Sequence, residues 1–229
     1  MVAILLGFGL QSFDREDNNG DNNGGNNGGN SSVVWVDLGL PSGLLWADRN
    51  VGASTPEDYG NYYAWGETTP KNIYEWSTYA YGNNYDELNK YCSEASYGLN
   101  GFTDNLTVLQ ASDDAATVNL GGGARTPTKD QWKELIDHTT STWITRNGVN
   151  GRLLTGFNGN SLFLPAAGYR YGSDLIGAGV DGYYWLSTLY TDDPSYVWNF
   201  DFDSYLQDMD YNGGRGNGFS VRAVRAGQN

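Results

Sequence analysis

The residues best suited to chemistry lie near the carboxyl end of the chain. Between Tyr190 and Gly216 the sequence places Tyr190, Tyr196, Tyr205 and Tyr211 beside six aspartates, with Ser, Asn and Gly between them and no basic residue before Arg215. Tyrosine offers a large contact area at low conformational cost, and Ser, Gly and Asn adapt their hydrogen bonding, so this composition suits recognition. Within it Trp198, Phe200 and Phe202 alternate with Asn199, Asp201 and Asp203, the pattern of a strand with one apolar and one polar face. The candidate ligand-binding residues are therefore Asn199, Asp201 and Asp203 on the polar face. Around them stand Tyr190, Asp192, Tyr196, Tyr205, Gln207, Asp208, Asp210, Tyr211 and Asn212. By the same alternation Trp185, Trp198, Phe200, Phe202 and Phe219 are scaffold. Aspartates on such a face would favour an acceptor with basic or polar groups.

The same residues admit other chemistries. Asp201, Asp203, Asp208 and Asp210 could take a calcium ion, since hard cations want several oxygen ligands. Solvated loop carboxylates are the plainer reading, and no metal site is assigned. His138 is the only histidine and Cys92 the only cysteine, so a nucleophile with an oriented base has no second partner to draw on. His138 falls at the end of an expected helix, a favourable place for an imidazole. The adjacent carboxylates Asp113-Asp114 and Asp192-Asp193 could in principle serve glycoside hydrolysis, but nothing orients one as acid and the other as base. No catalytic residue and no cofactor is expected, and the chain reads as a binding protein, not an enzyme.

Such a surface needs a frame, and the composition describes one. The chain has 32 Gly, 17 Tyr and 8 Trp against 17% charged residues, which suits short strands, tight turns and irregular loops and excludes a helical bundle. One cysteine gives neither a disulfide framework nor a thiolate zinc cluster, so packing must supply stability. The formal net charge of −14 repels phosphate backbones and anionic lipid surfaces, which excludes nucleic acid as a partner.

Three segments are expected: an apolar stretch at 1–13, a tether at 14–32 and a single domain at 33–226. Val2 to Leu10 is an apolar run too short to span a bilayer but suited to the core of a signal peptide. Leu10-Gln11-Ser12-Phe13 resembles a bacterial lipoprotein processing box, with Phe13 where the lipidated cysteine would stand. From Asp17 to Asn30 the chain is almost only Asn, Gly and Asp, which cannot bury enough apolar surface to offset the entropy of ordering. The expected location is accordingly secreted or at the outer surface of a bacterial cell, with membrane contact only through an N-terminal lipid anchor.

Within the domain, Val33–Leu38 and Leu44–Ala47 flank turn residues and read as an opening hairpin. Residues 53–112 read as long ordered loops. Thr128 with Gln131 three residues later is a capping box, and Trp132, Leu135 and Ile136 share one face of a helix running to about His138. Strands at 142–146 and 152–155, and a further pair flanking 157–160, are separated by Asn-Gly turns and imply a meander. Tyr183–Thr188, Val197–Phe202 and Phe219–Arg225 read as the last strands.

Several of these segments together resemble the Fibrobacter succinogenes major paralogous domain family, found in many copies in gut and rumen bacteria. They are Val36–Ala47, Asn50–Ala53, Tyr63–Thr68, Asp113–Ala116, Arg125–Thr128, Leu164–Arg170, Tyr184-Trp185 with Ser187-Thr188, and Gly218–Arg222. The likeness runs in order across nearly all of 33–226. It implies an α+β, C-type-lectin-like domain of the formylglycine-generating-enzyme type, with short antiparallel strands, one or two helices and long ordered loops. Enzymes of that type use paired cysteines near the C-terminal strands, whereas no cysteine follows Cys92 here. Sugar-binding lectins of this architecture hold calcium with Glu-Pro-Asn or Gln-Pro-Asp loops, neither of which occurs. Some members of the family resemble variable proteins of diversity-generating retroelements, in which exposed residues near the C-terminus are rewritten on a fixed scaffold. The resemblance thus implies a face that binds a protein or glycan ligand on a cell or phage surface. The alternative it leaves open is a non-variable structural or adhesive domain of the cell surface.

Overall fold

The computed structural model describes residues 32–227; the expected signal-like segment and the tether up to residue 31 lie outside them. The described chain is α+β, dominated by strands. It opens with β1 (Trp35–Asp37), β2 (Leu45–Asn50) and the two-residue β3 (Tyr62–Tyr63), then passes through loops to α1 (Ala115–Leu120) and α2 (Lys129–Asp137). A meander follows: β4 (Thr139–Arg146), β5 (Val149–Gly156) and β6 (Ser161–Pro165). A small ribbon, β7 (Tyr169–Tyr171) with β8 (Asp174–Ile176), leads to the long strands β9 (Gly182–Leu189), β10 (Tyr196–Phe202) and β11 (Gln207–Gly214). The chain closes with β12 (Phe219–Ser220) and β13 (Arg222–Arg225).

The opening hairpin forms as expected, Val36 opposite Trp46, and β2 takes the final strand β13 on its other side. The capping box is also present: Gln131 N–H donates to Thr128 Oγ1 at 3.4 Å and Thr128 N–H to Gln131 Oε1 at 3.0 Å, with His138 as C-cap. The turn between β4 and β5 places Asn147 and Gly148 at φ of 49° and 84°, the double positive φ that Asn-Gly supplies in a two-residue hairpin.

The five-stranded sheet, in order β11-β10-β9-β12-β3, is covered on both faces. One core gathers Trp46, Trp132, Tyr184, Leu186, Phe200 and Phe202, under α2. There Trp132 stacks on Phe200 with centroids 4.7 Å apart and meets Trp46 edge-on at 4.9 Å. The other core gathers Trp65, Trp185, Val197, Phe219 and Val221, with Trp185 stacked on Phe219 at 4.0 Å. Adjacent residues of β9, Tyr184 and Trp185, thus go to different cores. Emptying either aromatic site would cost about 3–5 kcal/mol.

Two expectations change. Phe219–Arg225 is not one strand: Val221 separates β12 in the large sheet from β13 in the terminal sheet. Residues 207–214 are not a loop but the edge strand β11, antiparallel to β10. The expected long loops between β3 and α1 are present, with three short 3-10 turns, and they are tied down by Arg215, which is fully buried. Its guanidinium donates to Tyr79 Oη at 2.9 Å, to the carbonyls of Tyr91 and Pro194 at 3.1 Å, and to that of Lys90 at 2.9 Å. The only cation of the 190–216 segment is therefore a structural post beneath the loops.

Candidate functional site

The polar side chains of the C-terminal strands line up by register. Tyr183, Asp201 and Asp208 stand abreast across β9, β10 and β11, and Asn199 faces Asp210 one step along. Beyond them, β10 turns into β11 through Asp203–Leu206. The result is an open depression of about 290 Å³ lined by Asp181, Tyr183, Asp201, Phe202, Asp203, Leu206, Gln207, Asp208 and Asp210. Among the described residues no three His, Cys, Asp or Glu side chains come together closely enough to hold a metal ion.

The turn beside this depression is tied down by hydrogen bonds. Asp203 Oδ1 accepts from the amides of Tyr205 at 2.6 Å and Leu206 at 2.7 Å, an Asx turn. From below, Arg152 of β5 donates through Nε and Nη2 to the Asp203 carbonyl at 3.1 and 2.9 Å and through Nη2 to the Leu206 carbonyl at 3.0 Å. Arg152 is itself buried. Held this way, Tyr205 and Leu206 project at 88% and 73% exposure, a protruding aromatic and aliphatic pair beside carboxylates.

The electrostatics follow from burial and from these bonds. Burial, then the charge of Asp203, raises the pKa of Asp181 above the usual carboxylate range. The Leu206 and Tyr205 amides hold Asp203 below it. Burial, reinforced by Asp181 and Asp201, pushes the Tyr183 phenol up to about 12, so it stays a neutral donor at neutral pH.

The twelve expected residues do not form one cluster. Asp201, Asp203, Tyr205, Gln207, Asp208 and Asp210 gather at the turn end of the hairpin. Tyr190, Asp192 and Tyr196 lie at the opposite end of β10, whose seven residues span roughly 20 Å. There Tyr190 packs edge-on against Trp198 at 5.5 Å, and Asp192 and Tyr196 are exposed. Tyr211 and Asn212 belong to β11 by backbone.

Asn199 is the correction: expected at the surface, it is fully buried. Its side-chain carbonyl accepts from Gly213 N–H at 3.1 Å, where the ladder shifts register between Val197 and Asn199, so it locks the bulge. Gln207 pairs with Phe202 and is half-buried, with its Oε1 lacking a partner among the described residues. Three lining residues are missing from the sequence-based expectation, Asp181, Tyr183 and Leu206; the spacing of two between Asp181, just before β9, and Tyr183 on it was the available signal for the first pair. Arg152 escaped as well, since nothing local marks a lysine-poor strand's arginine as a clamp.

Asp113, Asp114 and Cys92 are engaged in structure. Asp114 caps α1 through Ala116 N–H at 2.9 Å and binds Thr126 N–H at 2.8 Å and its hydroxyl at 2.6 Å. Asp113 accepts from Lys90 Nζ and Tyr91 Oη, each at 2.5 Å. Cys92 is buried and its thiol pKa is raised by that burial. No helix among the described residues is long and apolar enough to cross a membrane. No curated protein and no solved structure matches the chain. Residues 157–224, from the meander's last turn into β13, are similar to a family described as a domain of unknown function, DUF8237.

Proposed function

We propose that residues 33–226 form a C-type-lectin-like binding module, secreted or displayed on a bacterial surface, whose recognition element is the turn end of the β10–β11 hairpin. Its ligand on this reading is a protein that carries basic groups around an apolar pocket. The observation that carries the reading is the Tyr205–Leu206 tip, exposed yet clamped from beneath by Arg152 through the turn carbonyls. Binding energy concentrates in a few anchors, and an anchor already held in place costs little to order. The surrounding aspartates would steer a basic partner and reject an acidic one.

The placement of the family-like segments supports the same division. Trp46, Ala64, Trp65, Ala116, Leu164, Ala166, Trp185, Phe219 and Arg222 from those segments are buried, whereas the hairpin belongs to none of them. The lectin-like reading draws on the pairing of the first and last strands around β2 and on the long loops pinned to the sheet. A diversified hairpin is the further expectation of the resemblance. A near-copy of its codons elsewhere in the gene neighbourhood, differing at adenines and beside a reverse transcriptase gene, would be its signature.

The test is a cell-surface protein array probed with the wild-type domain and with Tyr205→Ala and Leu206→Ala. Loss of an anchor typically costs about 2 kcal/mol, or roughly thirtyfold in affinity, with thermal stability unchanged because both side chains are solvated. Capture of the same proteins at equal strength by both variants would remove the hairpin from the binding account.

A further inference from the structure

A second groove, which shares no residue with the hairpin site, lies where the turn at residues 75–77 meets the β7–β8 ribbon and the loop after β11. It measures about 310 Å³ and is lined by Glu75, Trp76, Ser77, Tyr171, Gly216 and Asn217, within the size range of small-ligand sites. We propose that this groove binds a neutral saccharide chain, with Trp76 and Tyr171 against the sugar rings and Glu75, Ser77 and Asn217 reading their hydroxyls.

The groove is built in advance of any ligand. Tyr74 and Gly172 exchange backbone hydrogen bonds at 2.9 and 3.0 Å, and Arg170 and Gly218 do so at 2.7 and 2.9 Å, so all three walls are tied together. Gly216 closes the floor: a Cβ there would lie 3.1 Å from the Glu75 carbonyl carbon and 3.2 Å from the Trp76 nitrogen. Trp76 is braced edge-on against the buried Tyr79 at 5.5 Å, while Tyr171 stands 61% exposed. Ser77 Oγ donates to Glu75 Oε2 at 3.2 Å, which orients the carboxylate.

The mixture of groups selects the ligand class. Sugar rings offer C–H faces to aromatic planes and hydroxyls, both donors and acceptors, to planar polar side chains. A quaternary ammonium would use the two rings and Glu75 but, having no N–H, gives Ser77 and Asn217 nothing to bind. A proline-rich strand would use the rings, yet its proline residues have no N–H to offer Glu75 or the Asn217 carbonyl. An acidic polymer meets Glu75 on a chain of net charge −14.

Saturation-transfer NMR and calorimetry on the full chain, with cellohexaose, xylohexaose, mannohexaose and maltohexaose as probes, test the assignment. At least one should bind the wild type, and Tyr171→Ala and Asn217→Ala should each weaken it about tenfold with the melting curve unchanged. Tyr205→Ala should bind that saccharide as the wild type does, which separates this groove from the hairpin. The proposal is overturned if none of the four binds at about 5 mM, if both groove variants keep wild-type affinity, or if a proline octapeptide or phosphocholine binds the groove in their place.

Discussion

Replacing Arg152 by Met, which keeps an unbranched apolar stem and removes the guanidinium donors, tests whether the recognition turn is held or merely folded. Arg152 is 7% exposed and gives three hydrogen bonds to the Asp203 and Leu206 carbonyls at 2.9 to 3.1 Å. Its contact with Ser141 Oγ, at 3.4 Å, is weaker. A hydrogen bond from a charged donor contributes about 1.5–3 kcal/mol, and three of them sharing two acceptors come to roughly 3–5 kcal/mol. Two effects offset part of the loss: Met removes a buried guanidinium whose desolvation was unfavourable, and water can reach the freed turn carbonyls. The net destabilisation is about 2 kcal/mol, a fall of roughly 4–8 °C in Tm for a domain of this size. Locally, the Tyr205 and Leu206 amides, which bond Asp203 Oδ1, should exchange about thirtyfold faster with deuterium. Arg152→Lys should fall between, because a single ammonium cannot span both carbonyls. A Met variant that melts within about 1 °C of the wild type, with unchanged exchange at both amides, would refute the clamp.

Asp114→Ala strands three buried or half-buried donors on Ala116 and Thr126 and should lower stability by about 3–5 kcal/mol in urea unfolding, with Asp114→Asn recovering part. Equal urea midpoints for the wild type and Asp114→Ala would contradict it. The acid behaviour of the turn has a definite sign. Because two amides depress the Asp203 pKa in the folded state, its contribution is complete above the unfolded carboxylate value of about 4 and is lost as pH falls through the lower folded value. Protection of the Tyr205 and Leu206 amides, corrected for intrinsic exchange, should therefore hold from neutral pH to about pH 4 and drop below it. A decline that begins near neutrality would mean that another group controls the turn.

Much of this fold was legible because its strongest signals are local. Thr128 with Gln131, and Asn147 with Gly148, specify a cap and a turn through side-chain geometry alone, and both occur where expected. Strand β11 was not legible. Gln207, Asp208 and Asp210 carry no apolar alternation, and the strand exists because β10 offers it a ladder and Met209 packs inward. Asn199 misled for a related reason. Period-two alternation tells which of two faces a residue takes, and that equals inside or outside only when one face meets water. Here both faces are covered at Asn199, by Trp132 and Phe200 on one side and by Trp185 and Val197 on the other. The alternation regains its usual meaning only toward Asp201 and Asp203, past the edge of the second core. Clamping by Arg152 depends on contacts 51 and 54 residues away, beyond the reach of any local pattern.

The insertion of the final strand beside β2 has a consequence for how the molecule is made. Arg222 reaches back across 175 positions to the Ala47 carbonyl and across 172 to the Asn50 side chain, so the sheet around β2 stays half-built until β13 has been synthesised. Contacts of such long sequence separation close slowly. A nascent chain lacking β13 leaves one edge of β2 unpaired, and an open strand edge invites pairing with neighbouring copies. The edge of β2 is therefore closed only once β13 is present, and chains cut short before Arg222 should collect in aggregates.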